Sequence, residues 1–597
     1  MRAFMDNISI ARLLDETASL LEIDSADPFR IRSYRRAAEA VEQQTGSLAT
    51  LATNDPKQLL AIPGIGKGMA ANICELVANG TMPLREELLT KYKPTMLELL
   101  RLPGMGPKTV ALVFSALGVS DIDALEAAAK EGHLAKLPRM GEKFTVKLLK
   151  GIEDHRRNSS RFRIDVAHEQ ATRIAALIGA FPGIDEITPA GSLRRGRESV
   201  GDLDLLVTGP ACESDVVAAA VEHVATLPLI DKLLARGQNK VSFTLRNNLQ
   251  VDVRLLPRAS YGAALQYFTG SKHHNVALRQ RAIKRGLTLN EYALLKLDDN
   301  TIVAAAHEEE IYRALELAYI PPELRENSGE IEAAAASFAG LGEGGLPQLI
   351  TQADIRGDLH MHTEATDGRD TIRQMAEAAM ARGLSYIAIT DHSKNLAMTN
   401  GLDDARALAH VQRIREVDTE LQRERSGRFR LLAGIEVDIL ADGALDLADS
   451  TLAEMDIVIA SVHSHFAQPI EEMTARILRA IENPHVRILG HPTGRKVLGR
   501  PAYALHLDQI LTRAAQLGVA VEHNAAPARA DLSDLHLRRA KELGCKIAVN
   551  TDAHSTEELA QISYGITQLR RAWFTRADLL NTLPNAAELL ASLRPKP

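Results

Sequence analysis

The chain has 597 residues, 45% hydrophobic and 25% charged, with a formal net charge of −7 at neutral pH. That length exceeds what one hydrophobic core organises, so about three to five globular domains are expected, and bulk positive charge is excluded as a means of coating nucleic acid. Three widely spaced cysteines, Cys74, Cys212 and Cys545, exclude a disulfide framework and a thiolate zinc cluster, which fits a reducing compartment.

The chain opens with "MRAFMDNISIARLLDE", which carries early acids and no continuous apolar stretch, so no secretory leader is expected. No apolar run approaches the ~20 residues of a membrane span, and the expected location is cytoplasmic. Residues 1–155 read as helices joined by Gly/Pro turns, as in "ISIARLLDETASLLEI" and "MAANICELVANG". "IPGIGKGMAANI" and "LPGMGPKTVALV" share a Pro-Gly-x-Gly turn followed by a helix, and "LPRMGEKFTVKLL" is a weaker third copy with Arg139 at the first glycine. Gly64, Gly66, Gly104 and Gly106 would let the backbone come close to a partner, while the helix start offers unpaired N–H groups to a phosphate. Two basic clusters stand out, Arg30, Arg32, Arg35 and Arg36, then Lys272, Arg279, Arg281, Lys284 and Arg285. Either cluster alone reads as a solvated helix face.

Between 185 and 255 the runs "LDLLVTG", "VSFTLRN" and "LQVDVRLL" read as strands. In "GSLRRGRESVGDLDLLV" the side chains of Asp202 and Asp204 share one strand face, because side chains alternate with period two. Asp252, on another predicted strand, would complete a set of carboxylates that repel unless divalent cations lie between them. Such a set holding two Mg²⁺ ions suits in-line nucleotidyl transfer, with the Gly191-Ser192 turn and Arg195 contacting phosphates. Helical texture then returns, and the Ala- and Gly-rich residues 327–350 read as a linker holding one short helix.

From Asp354 onward, strand-like runs alternate with amphipathic helices, the pattern of a parallel β/α barrel. Metal-competent residues follow the runs: His360, His362, Asp367, His392, Glu436, His463, His491, Asp552 and His554. Imidazole mixed with carboxylate suits Zn²⁺, Mn²⁺ or Fe, and the set is large enough for two or three ions at one barrel mouth. Asp391 is placed either to orient His392 or to cap a turn. His465 is placed either to support a ligand or to approach the substrate, and Arg495 either to contact a phosphate or, as a surface arginine, to stand in solvent.

The carboxylate segment resembles the signature of family X DNA polymerases, the group that includes polymerase beta, and the likeness continues through "YFTGSKHHNVALRQRAIKRGLTLNEY". By that resemblance Gly191, Ser192, Arg195, Gly201, Tyr267, Phe268, Gly270 and Asn275 border the incoming nucleotide, and Arg279 the template. "FRIRSYRRAA", with Arg30 and Tyr34, resembles the family's gap-binding N-terminal domain, and the Pro-Gly-x-Gly turns resemble helix-hairpin-helix motifs of DNA repair proteins. Residues 354–575 resemble the PHP (polymerase and histidinol phosphatase) family. The implied architecture is a multidomain α/β chain. Residues 1–85 and 86–155 would be helical DNA-binding domains, 156–262 a nucleotidyltransferase palm and 263–326 a thumb-like domain. Residues 327–352 would be a linker and 353–597 a distorted seven-stranded PHP barrel.

The resemblance implies a monomeric, nucleoid-associated bacterial polymerase that fills gapped or nicked DNA from deoxynucleoside triphosphates. Its polymerase site would use Mg²⁺ or Mn²⁺, and its PHP site Mn²⁺ or Zn²⁺. The PHP domain implies 3′–5′ exonuclease activity, with abasic-site endonuclease and 3′-phosphatase activities as further members of that set. A nucleotidyltransferase fused to a phosphatase of small esters is the alternative enzyme, and a DNA-binding scaffold with residual catalysis the third reading. One departure stands out: the family's lyase lysine is replaced by Asn72, whose amide cannot form a Schiff base, and Lys67 lies off the pattern. Borohydride trapping on an abasic substrate is therefore expected to give little covalent adduct; efficient trapping would refute this.

Overall fold

The computed structural model describes residues 7–594 except 43, 45–47, 101, 103, 139, 159–160, 343, 397–398 and 425–428, so Arg139 lies outside the described residues. The chain divides into two compact units, Met1–Ser160 and Arg161–Pro597. No described helix is long and apolar enough to cross a membrane.

The first unit is helical throughout its described residues. Helix Asn7–Ile23 packs Ile10, Leu14 and Leu21 against Tyr34, Ala37 and Val41 of Pro28–Glu42, while a second core gathers Leu99, Val110 and Leu148. Helices Lys67–Asn79 and Pro107–Leu117 start directly after Gly66 and Gly106, as the repeat predicts. The preceding Gly64 and Gly104 have φ of +102° and +81°, where an L side chain is strained. A Cβ on Gly104 would also lie 2.8 Å from the Phe144 ring.

The second unit begins with a five-stranded sheet: β1 (Glu186–Pro189), β2 (Asp202–Thr208), β3 (Ile230–Arg236), β4 (Lys240–Leu245) and β5 (Gln250–Leu255). Its order is β1-β2-β5-β4-β3, with only β2 and β5 parallel. Leu203, Leu205, Val251 and Val253 point into its core, which leaves the alternate residues for chemistry. Strands β1 and β3 are absent from the sequence reading. "IDKLLAR" at β3 has helix-forming residues, and its pairing with β4 overrides that preference.

Helices Tyr261–Thr269 and Lys272–Ile283 follow, then a three-stranded antiparallel sheet at residues 287–304. Residues 327–352 hold the short helix that the sequence suggests, and that helix is packed. Helix Glu330–Phe338 buries Ile331 and Ala334 against Leu278, Ile311 and Tyr312, and Glu330 accepts a hydrogen bond from His274 at 2.7 Å. Small side chains here allow close packing, which composition alone reads as looseness.

Seven parallel strands then form a nearly closed barrel: β6 (Gly357–Asp358), β7 (Tyr386–Ile389), β8 (Arg430–Asp438), β9 (Ile457–Ser461), β10 (Ile488–Leu489), β11 (Ala520–Asn524) and β12 (Ile547–Asn550). Beyond the ends of β6 and β12, the His362 N–H donates to Ala553 O at 2.8 Å and the Asp552 N–H to His360 O at 2.9 Å. These bonds bring the first and last segments together at the mouth.

A buried ion cluster ties the sheet region to the residues that follow it. Glu308, 4% exposed, accepts from Arg325 Nη1 at 2.5 Å and from Arg194 Nη2 at 2.7 Å, and Arg325 is fully buried. Burial raises the Glu308 carboxyl pKa, but Arg325 and Arg194 outweigh it and hold the group down at about 2. Removing the carboxylate strands a buried guanidinium, so Glu308→Gln is expected to cost about 3–5 kcal/mol in urea unfolding at neutral pH. The carboxylate's contribution is complete above its ordinary pKa of 4.5 and is lost as pH falls toward about 2. The gap between wild type and variant should therefore narrow over that acid range.

Candidate active sites

The first site lies on the parallel pair. Register places Asp204 of β2 directly opposite Asp252 of β5, and Asp202 opposite Gln250. Three carboxylates therefore share one face. Burial, then Asp202 and Asp252, push the Asp204 carboxyl up to about 7, and Asp202 is raised by burial and Asp252. Lys240 Nζ donates to Asp252 Oδ2 at 2.7 Å, while Asp252 Oδ1 is buried without a hydrogen-bond partner. One lysine among three clustered carboxylates leaves an acceptor set suited to divalent cations.

Gly191 presses on this cluster. Its φ is +58°, and a Cβ there would fall 2.8 Å from Asp204 Oδ2. The adjoining Ala190 N–H donates to Asp204 O at 2.8 Å, so turn and strand are fixed together. Gly201 directly precedes β2, and Ser192 is half-buried, its carbonyl accepting from the Arg197 N–H.

Arg195 is engaged within the protein: Nε donates to Glu326 Oε1 at 3.1 Å and Nη1 to Thr269 O at 2.5 Å. A Cβ on Gly270 would come within 3.2 Å of Arg195 Nη1. Tyr267 and Phe268 meet edge to face at 5.1 Å, with the Arg254 guanidinium 4.1 Å over the Phe268 ring. Asn275 uses both ends of its amide internally, accepting from Gln266 and donating to Tyr267 O at 2.7 Å. Arg279 is exposed on the same helix. In the first unit Arg30 is exposed, whereas Tyr34 is buried and its hydroxyl accepts from Asn72 Nδ2 at 2.7 Å.

The second site is the barrel mouth, which gathers every acid and imidazole singled out from the sequence there. His362, Asp367, His392 and His554 form one group with metal-ligand spacing. His360, His362 and Asp552 form another, and His392, Glu436 and His463 a third. His362 and His392 are each shared between two groups, so they link all three. His491 stands outside them, its Nε2 3.0 Å from Glu436 Oε1.

Glu436 is the hub. His360, His392, His463 and His491 all reach it within 3.4 Å. Burial opposes charging His392 and His463, but Glu436 and the neighbouring acids outweigh it and lift them to about 10 and about 9. His360 Nε2, His463 Nε2 and Glu436 Oε2 are buried without hydrogen-bond partners. Orphaned polar atoms cost free energy, and cations among these N and O donors would satisfy them, so the residues fit a metal cluster.

The sequence reading missed the residues that orient the ligands. Glu522 accepts from His360 Nδ1 at 2.7 Å and from the His491 N–H, and Asp438 faces His463 Nδ1 at 2.5 Å. Such carboxylate–histidine pairs fix the ring and its tautomer. Asp438 ends its strand two residues after Glu436, which is a signal in the sequence, whereas Glu522 lies mid-strand and far from any candidate ligand in the chain. Asp391 accepts from the Thr363 N–H and hydroxyl and from His410 Nε2 at 2.8 Å, so it pins the loop leading to Asp367. Arg529 Nε lies 3.3 Å from Asp552. His465 is exposed with φ of +54°, and Arg495 pairs with Glu198 instead of standing free.

Comparison with known proteins matches residues 5–82 to a helix-hairpin-helix domain and 96–154 to a SAM-like helix-hairpin-helix tandem. Residues 264–326 match the DNA polymerase beta thumb and 358–524 the PHP domain. Asp552 and His554 fall beyond that last match and join the site through barrel closure. The chain is 37% identical over 579 residues to the DNA polymerase/3′-5′ exonuclease PolX of Bacillus subtilis, covering 97% of each protein. It is 31% identical over 236 residues to a probable phosphatase of Thermoanaerobacter sp., covering 38% of this chain and 89% of that protein. A probable phosphatase of Syntrophotalea carbinolica is 28% identical over 244 residues, 39% of this chain and 95% of that protein. The full-length likeness, the thumb and the PHP barrel place this chain in the family X DNA polymerases, in the form that carries a C-terminal PHP domain.

Proposed function

We propose that this chain is a DNA-directed DNA polymerase that fills short gaps during repair, and that its barrel is a 3′–5′ exonuclease that trims or unblocks the 3′ end being extended. One observation carries the reading: a carboxylate face on β2 and β5 and an imidazole–carboxylate mouth are both complete on one chain. Asp202, Asp204 and Asp252 would hold Mg²⁺ or Mn²⁺, with Lys240 offsetting part of their charge. The nine mouth residues from His360 to His554 would hold Mn²⁺ or Zn²⁺, oriented by Glu522 and Asp438. Such ions, when bound, ease deprotonation of the attacking hydroxyl or water and draw charge from the phosphate.

The chain's own groups set the geometry. Gly191 keeps the Asp204 carboxylate clear on the side where a triphosphate would lie, and Tyr267 and Phe268 offer an aromatic wall for a sugar. The Gly66 and Gly106 helix starts suit DNA backbone and not base edges, so gap geometry is read more than sequence. Abasic-site cleavage and 3′-phosphate removal belong to the same proposed mouth chemistry. The phosphatase-like barrel leaves one rival reading, a hydrolase of small esters.

Gapped DNA with Mg²⁺ or Mn²⁺, with and without nucleotides, separates the readings. Asp204→Ala should abolish extension and keep degradation, while His362→Ala should do the reverse. A wild-type protein inert on DNA but active on small phosphate esters would transfer the case to the rival. Glu522→Gln should weaken metal binding at the mouth about 10- to 100-fold by releasing His360. Metal titration of the exonuclease should show that shift, with extension unaffected.

A further inference from the structure

Helix Ile562–Arg571 of the barrel grips the loop that carries Arg195. Arg571, its side chain 3% exposed, donates through Nη1 to Arg195 O at 2.6 Å and to Glu326 Oε1 at 3.0 Å. Its Nε donates to Asp534 Oδ2 at 2.9 Å. One turn earlier, Gln568 Nε2 donates to Gly196 O at 2.7 Å. Gly196 has φ of +68°, and a Cβ there would lie 2.1 Å from Thr567 Cγ2. The loop is thus seated directly on the barrel helix.

The chemistry of the shared carboxylate gives this contact a role. Glu326 Oε1 takes both Arg195 Nε and Arg571 Nη1. For Arg195 to turn toward a triphosphate it must leave Glu326, and leaving would strand a largely buried carboxylate unless a second cation stays behind. Arg571 is the cation that stays at hydrogen-bond distance, 3.0 Å, while Arg197 Nη1 lies farther from the same oxygen at 3.9 Å and its side chain is 43% exposed. The Arg571 charge is balanced by Asp534, and its bond to Arg195 O keeps the backbone still while the guanidinium moves.

We infer that Arg571, supplied by the C-terminal barrel, is a positioning residue for the polymerase: it retains Glu326 so that Arg195 is released to the incoming nucleotide's phosphates. The inference rests on the polymerase reading above and on Arg195 as a phosphate contact.

Single-nucleotide insertion by the full-length chain on gapped DNA tests it, with 3′–5′ degradation as the measure of an intact barrel. Arg571→Gln should raise the KM for nucleotide about tenfold with kcat changed less than about threefold, and Arg571→Lys should recover most of the loss. Adding Glu326→Gln to Arg571→Gln should bring KM back toward wild type, because the competing anion is gone. A normal KM in a degradation-competent Arg571→Gln protein would overturn the inference, as would a double variant no better than the single. Should Arg571→Gln lose both activities, Glu326→Gln alone decides: a KM at or below wild type supports the inference and a raised KM overturns it. A wild-type chain that extends nothing would instead sink the polymerase reading.

Discussion

Parallel strand register crowds ionisable groups together in this chain, at two places. Between β2 and β5 it sets Asp204 against Asp252, two carboxylates that water would keep apart. Around the barrel it delivers the ends of β6, β7, β8, β9, β10 and β12 to one mouth, where imidazoles and acids converge on Glu436. The aspartates repel one another, and the imidazole–carboxylate mouth leaves buried polar atoms without partners. The strands beneath are held by apolar faces, Leu203, Val251 and their neighbours in one case and Ile435, Val458 and Val521 in the other. Hydrophobic burial thus supports an electrostatic arrangement that becomes favourable when cations are bound, which is how such sites keep affinity for metal.

The candidate ligands stand out in sequence because chemistry dictates their spacing. Two aspartates on one strand face need one residue between them, and strand-end histidines need an apolar run before them, so both patterns survive in sequence. Orienting residues follow no such rule. Glu522 reaches His360 across 162 positions, and His410 reaches Asp391 from a helix whose sequence reads only as amphipathic. Their roles exist only once the barrel has closed. The same holds for Arg195, whose residue type suggested a phosphate contact but whose resting partners, Glu326 and Thr269, lie far along the chain.

Elements were legible where periodicity was strong and lost where composition misled. The barrel strands and the N-terminal helices fell where apolar spacing put them. The Ala-rich segment reads as a linker with one short helix; helix Glu330–Phe338 is there, but its packing is not legible, because small residues suggest a tether when nothing shows what they pack against. Its Glu330 is fully buried on His274, which in turn lies within hydrogen-bond reach of Tyr312. A segment so anchored transmits position and does not supply slack.

That rigidity bears on why two activities share a chain. Residues 161–597 form one compact unit, and the short loop after the Gly191-Ser192 turn is held by successive contacts from distinct elements. Arg194 meets Glu308, Arg195 meets Glu326, Gly196 meets Gln568, and Glu198 meets Arg495. Two of those partners belong to the barrel, and neither is among its metal-site residues. Buttressing of the polymerase loop therefore does not depend on the candidate ligands at the barrel mouth. Loss of a candidate ligand such as His362 leaves Gln568, Arg571 and Arg495 in place. The barrel is built into the palm's support as well as carrying its own chemistry, so cutting the chain at residue 352 would remove the nuclease and unseat the loop that leads into Asp202 and Asp204.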